Sequence, residues 1–186
     1  MRIGKEIKMT VALAGMLLLS AGAYAAGNTQ SESADTASQL HTMSGYTVEP
    51  RAYSENGRFY AFGIKVTAQS SDVIVHAMEG SEVAALSGST VVAEKGSLVF
   101  ANKGSNVTAE SGSTVHALGN STVTAETGSN VIADYDSNVT AKDGSIVRAM
   151  YGSLVNAKRG SIVNAEPGAS VKAEEGSTVN QVDVLP

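Results

Sequence analysis

Residues 80–103 read GSEVAALS, GSTVVAEK and GSLVFANK, three octads in tandem that share the frame G-S-x-V-x-A-x-x. The frame runs from Gly80 to Asp183 and gives 13 octads. Glycine fills its slot in 11 of the 13, and the two exceptions are Asn120 and Asp136. Asparagine and aspartate best tolerate a left-handed backbone after glycine, so this slot is expected to be a turn with positive φ. Serine fills its slot in 12 octads, Ala169 being the exception, and valine fills its slot in all 13, from Val83 to Val179. Alanine fills 12 and yields to Gln181 in the last. A partial unit precedes them, with Val75 and Ala77 in frame.

Read physically, S-x-V-x-A alternates strictly and predicts a five-residue strand, with x-x-G as the corner. Period-two geometry sends Ser, Val and Ala to one face and both x residues to the other. The inward face is uniformly small, so two such faces can close on a thin valine-centred core. A helix is excluded, because an eight-residue period sets successive valines about 80° apart on a helical wheel. The inward serine needs a partner, either a backbone group at the corner or the next serine along the ladder.

The residues before each glycine slot decide how many octads make one coil. Before every second octad they begin with Glu94, Glu110, Glu126, Lys142, Lys158 and Glu174, all charged. Before the intervening octads they begin with Leu86, Asn102, Leu118, Asp134, Met150 and Glu166, an alternation of large apolar and polar. Tyr135 and Tyr151 also lie 16 apart in matching slots. A 16-residue coil with two faces keeps these sets separate, whereas a 24-residue triangular coil mixes them. The fold class expected is therefore all-β, an octapeptide-repeat β-solenoid of about seven coils. At roughly 4.8 Å per coil the rod is on the order of 34 Å long.

The outward slots then form two sheets. One carries Thr90/Val92, Asn106/Thr108, Thr122/Thr124, Asn138/Thr140, Leu154/Asn156 and Ser170/Lys172. The other carries Glu82/Ala84, Leu98/Phe100, Thr114/His116, Asn130/Ile132, Ile146/Arg148, Ile162/Asn164 and Thr178/Asn180, mixed with an apolar trend. The candidate binding face is the Thr/Asn array: Thr90, Asn106, Thr108, Thr122, Thr124, Asn138 and Thr140.

Outside the repeats the chain changes character. Residues 1–25 have the form of a secretory signal: Arg2, Lys5 and Lys8, an apolar run from Met9 to Ser20, then Ala23-Tyr24-Ala25. The run is short of the roughly 20 apolar residues that span a bilayer. Cleavage ahead of Ala26 would leave a mature chain with no transmembrane segment, placed in the periplasm or outside the cell. Residues 26–44 are polar and read as a flexible leader. Residues 45–71 hold Tyr46, Tyr53, Phe59, Tyr60 and Phe62, five of the nine Tyr and Phe in the chain. Asn56-Gly57 signals a two-residue hairpin that would set Glu55 opposite Arg58 and Tyr53 opposite Tyr60. This segment is expected to cap the open end of the solenoid, with an aromatic binding patch as the alternative. The repeats occupy 72–183, and 184–186 form a tail.

Composition narrows the chemistry. A net charge of −5 with 17% charged residues, and no stripe of Lys or Arg, sets nucleic acid aside. The absence of cysteine removes disulfides, thiolate metal sites and thiol nucleophiles. His76 and His116 fall on opposite sheets and cannot share a metal. Glu94, Glu110 and Glu126 would stack along one corner and could hold Ca²⁺ weakly, but a charged, wet corner continued by Lys142 and Lys158 is the simpler reading. The inward serines have no histidine beside them, so no catalytic residue, cofactor or metal is assigned.

The units GSTVHALG at 112–119 and STVTAE at 121–126 resemble the octapeptide repeats of bacterial ice-nucleation proteins. That resemblance covers about 104 residues and implies paired octads in 16-residue coils with outward T-x-T rows. This chain has one complete T-x-T, Thr122 and Thr124. The function expected from the residues is an exported, non-catalytic structural, adhesive or surface-binding module, its partner a cell surface, a polysaccharide or further copies of itself. The alternative is an ice-binding protein that uses the Thr/Asn face.

Overall fold

The computed structural model describes residues 51–69 and 71–182, with the backbones of four short strands nearer the N-terminus. Those four are β1 (Thr10–Ala12), β2 (Leu18–Ser20), β3 (Thr42–Met43) and β4 (Tyr46–Thr47). They are followed by β5 (Arg51–Glu55), β6 (Arg58–Phe62), β7 (Lys65–Ala68) and β8 (Ile74–Ala77). Each octad then supplies one strand: β9 (Glu82–Ala85), β10 (Thr90–Ala93), β11 (Leu98–Ala101), β12 (Asn106–Ala109), β13 (Thr114–Ala117), β14 (Thr122–Ala125) and β15 (Asn130–Ala133). The series ends with β16 (Asn138–Ala141), β17 (Ile146–Ala149), β18 (Leu154–Ala157), β19 (Ile162–Ala165), β20 (Ser170–Ala173) and β21 (Thr178–Gln181).

Successive strands alternate between two sheets. The odd sheet runs β2-β1-β7-β9-β11-β13-β15-β17-β19-β21, and the even sheet runs β20-β18-β16-β14-β12-β10-β8-β6-β5. From β8 and β9 onward every neighbour is parallel and in register at 16 residues, as in Val107↔Val123 and Val115↔Val131. The chain is therefore a β-solenoid with two-sided, 16-residue coils. Valine sits over valine, and alanine over alanine save where Ala165 meets Gln181, and these residues are buried from Val75 to Ala165.

The strands are one residue shorter than the alternation predicts, because serine belongs to the corner. The N–H of Ser81 donates to the carbonyl of Met78 at 3.0 Å, and its Oγ donates to the same carbonyl at 2.6 Å. Gly80 stands in the third turn position with φ 73°, the geometry a type II turn requires. The same pair of hydrogen bonds recurs at Ser89, Ser97, Ser105, Ser113, Ser129, Ser137, Ser145, Ser153, Ser161 and Ser177. Of the two partners open to the inward serine, the corner carbonyl is the one it takes. Ser121 departs: its hydroxyl is buried without a partner among the described residues, and nothing in the structure explains it. Asn120 and Asp136 both have φ 56°, so the left-handed turn expected at the glycine slot is present there too. Glycine-slot N–H groups also form a ladder from coil to coil, as in Asn120 N–H to the Asp136 carbonyl at 2.8 Å.

The coil count exceeds seven. β6 and β7 belong to the solenoid and make a first coil, so each sheet has eight parallel strands. Phe59 lies in register with Val75 and Ala61 with Ala77, while Val66 matches Val83 at a spacing of 17. The segment expected as a cap therefore contributes its second half to the core. Its first half behaves as expected: β5 folds back antiparallel on β6, with Glu55↔Arg58 and Tyr53↔Tyr60 across Asn56-Gly57. The segment read as a secretory signal lies outside the described residues, apart from the backbones of β1 and β2, and β1 pairs antiparallel with β7. The leader and the tail also lie outside them, save the backbone of β3 within the leader. Among the described residues no helix is long and apolar enough to cross a membrane.

Candidate functional site

Strands β10, β12, β14 and β16 bring all seven predicted face residues onto the outer side of the even sheet. Two straight columns result. Thr90, Asn106, Thr122 and Asn138 align in one, and Val92, Thr108, Thr124 and Thr140 align in the other. Rungs repeat at about 4.8 Å and the two columns lie roughly 6.7 Å apart, the strand and alternate-residue spacings of a β-sheet. Asn106, Thr122 and Asn138 are exposed, and the threonines of the second column are half-buried between neighbouring rungs. None of the seven side chains has a hydrogen-bond partner among the described residues. Their donors and acceptors are left to solvent or to a bound surface.

Toward the N-terminal end the second column turns aromatic. Tyr53 stacks on Tyr60 and Tyr60 stacks on His76, each at 4.8 Å between ring centroids. Arg51 lies over the Phe62 ring with its Cζ 4.5 Å from the centroid. His76 Nδ1 lies 3.0 Å from Glu94 Oε1, and its Nε2 is buried without a partner among the described residues. The rings are stacked on one another rather than spread in a plane.

The odd sheet differs. Ile146 and Ile162 are 43% and 38% exposed, and Phe100 packs at a tilt against His116 with centroids 5.2 Å apart. Arg148 donates to Glu166 Oε1 through both Nε at 3.0 Å and Nη2 at 2.6 Å. His76 and His116 lie on opposite sheets, as their spacing predicts.

At the charged corner the carboxylates do not act as one stack. Glu94 turns to His76, Glu126 meets Lys142 Nζ at 2.6 Å, and Glu174 meets Lys158 Nζ at 2.5 Å. The Lys158 ammonium holds the exposed Glu174 carboxyl below its ordinary value. Among the described residues no group of three His, Asp or Glu is placed to hold a metal ion.

Sequence reasoning missed the pairs between one coil and the next. His76–Glu94 and Arg148–Glu166 are both 18 residues apart. That offset joins the second outward slot of one coil to the corner slot of the coil above, and it follows directly once the 16-residue period is accepted.

No protein-family model matches the chain, and no curated protein matches it. Among solved structures the chain is similar to a TibC-catalyzed hyper-glycosylated fragment of TibA, at 20% sequence identity and a TM-score of 0.48. The match covers 63% of this chain and 53% of that one, so this chain spans about half the length of the structure it resembles.

Proposed function

We propose that this chain is an exported, non-catalytic structural or adhesive module whose even-sheet face binds an extended surface. The observation that carries the reading is the pair of straight polar columns with unsatisfied side chains at Thr90, Asn106, Thr108, Thr122, Thr124, Asn138 and Thr140. A flat periodic array of donors and acceptors suits a flat periodic partner, such as cell-surface polysaccharide, better than a small molecule, which needs a concavity. The serines that line the inside are buried and, apart from Ser121, donate to corner carbonyls, which leaves them unsuited to act as nucleophiles. Export is supported by the charged start, apolar run and Ala23-Tyr24-Ala25 of residues 1–25.

The test uses deposition of the purified mature protein on surfaces coated with extracted cell-surface polysaccharide. Thr122→Leu with Thr124→Tyr should abolish retention and leave the melting temperature unchanged, because both side chains point outward. The matched bulky change at Asn130 and Ile132 on the odd sheet should be silent. Equal retention of both variants would overturn the assignment of the even face.

A second reading has a specific observation behind it. Asn106/Thr108, Thr122/Thr124 and Asn138/Thr140 are three consecutive rungs with polar residues in both columns, a lattice on which water could order. Ice-crystal shaping by the wild-type protein, lost in the Thr122/Thr124 variant, would favour ice binding over adhesion.

A further inference from the structure

The departures from glycine in its slot stand at one corner, the one that leads into even-sheet strands β14 and β16. Asn120 and Asp136, the two residues that replace glycine, lie in adjacent coils, with Asn120 N–H bonded to the Asp136 carbonyl. Gly119 and Tyr135 stand immediately before them in sequence, and Tyr151 follows one coil later. Each of these positions is unusual in its column. Tyr135 and Tyr151 are 56% and 67% exposed, the two most exposed large apolar side chains among the described residues. Their rings stack at 6.3 Å between centroids and 12° between planes. The Tyr135 ring leans over Gly152 and the Tyr151 ring over Gly168, where an added Cβ would meet each ring at 2.3 Å. On the opposite side of Tyr135 the preceding coil offers Gly119, which has no side chain to cover it.

A non-glycine residue with positive φ is strained, and glycine would serve this fold in both coils, as it does in the other eleven octads. Strain kept where the scaffold does not need it points to a use for the side chains. The Asn120 amide and the Asp136 carboxylate are exposed, and neither has a partner among the described residues. Asp136 follows Tyr135 directly in sequence, and Asn120 stands one coil before it.

We propose that this corner binds the ring of a neutral sugar, with Tyr135 and Tyr151 as the apolar platform and Asn120 and Asp136 as hydroxyl partners. The C–H groups of one pyranose face match the electron-rich face of tyrosine. The amide and the carboxylate supply donor and acceptor for its hydroxyls, the carboxylate as the stronger acceptor. Asp134 and Asp136 on either side of Tyr135 repel an anionic sugar, so the class is uncharged. The site borders the Thr/Asn face, with Asn120 two residues before Thr122 and Asp136 two before Asn138, and differs from it in the tyrosine pair.

The experiment is affinity electrophoresis of the wild-type protein in gels containing dextran, mannan or laminarin, three soluble neutral polysaccharides. Retardation is expected in at least one, and Tyr135→Ala with Tyr151→Ala should weaken it by roughly tenfold or more. Asn120→Gly and Asp136→Gly restore the repeat and remove the strain of a side chain at positive φ. They should weaken retardation while the melting temperature holds or rises, a combination that a purely structural role would not give. The Thr122→Leu, Thr124→Tyr variant should be retarded like the wild type. No retardation in any of the three gels would overturn the proposal, and so would retardation that survives the tyrosine and glycine variants. Retardation lost only in the Thr122/Thr124 variant would assign sugar binding to the even-sheet face instead.

Discussion

From Gly96 onward, the side chain just before a glycine slot leans over the glycine of the next coil, which gives that slot a second reason to be glycine besides its backbone angle. An added Cβ at Gly160 would sit 1.8 Å from Asp143 Oδ1, and one at Gly152 would strike Tyr135. Asp136 stands one coil after Gly119, which has no side chain to compete for the space, whereas Asn120 stands one coil after Lys103. The inward slots obey a stricter rule. Val123 is 1% exposed, between Val107 and Val139, and a charge placed there finds neither water nor a partner. Val123→Asp should cost more than about 4 kcal/mol. Thr124→Asp, one residue along and facing outward, should stay within about 0.5 kcal/mol. Thermal melts of the two variants check this, and equal tolerance would mean that the valine slot is not inward.

Among elements, the hairpin and the first coil show what periodicity does and does not reveal. The β5–β6 register was legible because Asn56-Gly57 fixes a two-residue turn, and a turn fixes every pair behind it. The first coil was not legible, although Gly63-Ile64-Lys65-Val66-Thr67-Ala68 follows the frame with isoleucine for serine. It stands one residue out of phase with the octads that follow, and Phe59 replaces valine in the other half of the coil. A strict eight-residue count steps over both. The candidate face was legible for the opposite reason: with the period known, sequence position alone assigns a side chain to a sheet, a column and a rung. Departures from the frame were visible too, but their meeting at one corner depends on the coil. Tyr53, Tyr60 and His76 make one continuous stack from hairpin to sheet. A double-mutant cycle between Tyr53→Ala and Tyr60→Ala should give a coupling of about 0.5–1.5 kcal/mol. A coupling near zero would mean that the hairpin does not pack on the first coil as described.

For the whole molecule, stability comes from repetition rather than from a large core. Each coil buries one valine and one alanine per side against its neighbours, so the interior is a chain of nearest-neighbour contacts. The last described coil lacks a neighbour on one side, and Val171 and Val179 there are only partly buried. The polar face, the apolar face and the tyrosine corner all follow from one claim, that a coil is 16 residues with two sides. In a 24-residue coil the Thr/Asn columns would scatter over three faces, and Asn120 and Asp136 would part. Glu82 and Thr178 are 96 residues apart, a whole number of coils under either period. Both lie on the odd sheet, on β9 and β21. Spin labels on Glu82→Cys and Thr178→Cys, in a chain with no other cysteine, read the distance between them by pulsed electron paramagnetic resonance. Six coil steps at about 4.8 Å predict a separation of about 29 Å. A separation of about 19 Å, the four steps of a 24-residue coil, would contradict the two-sided solenoid.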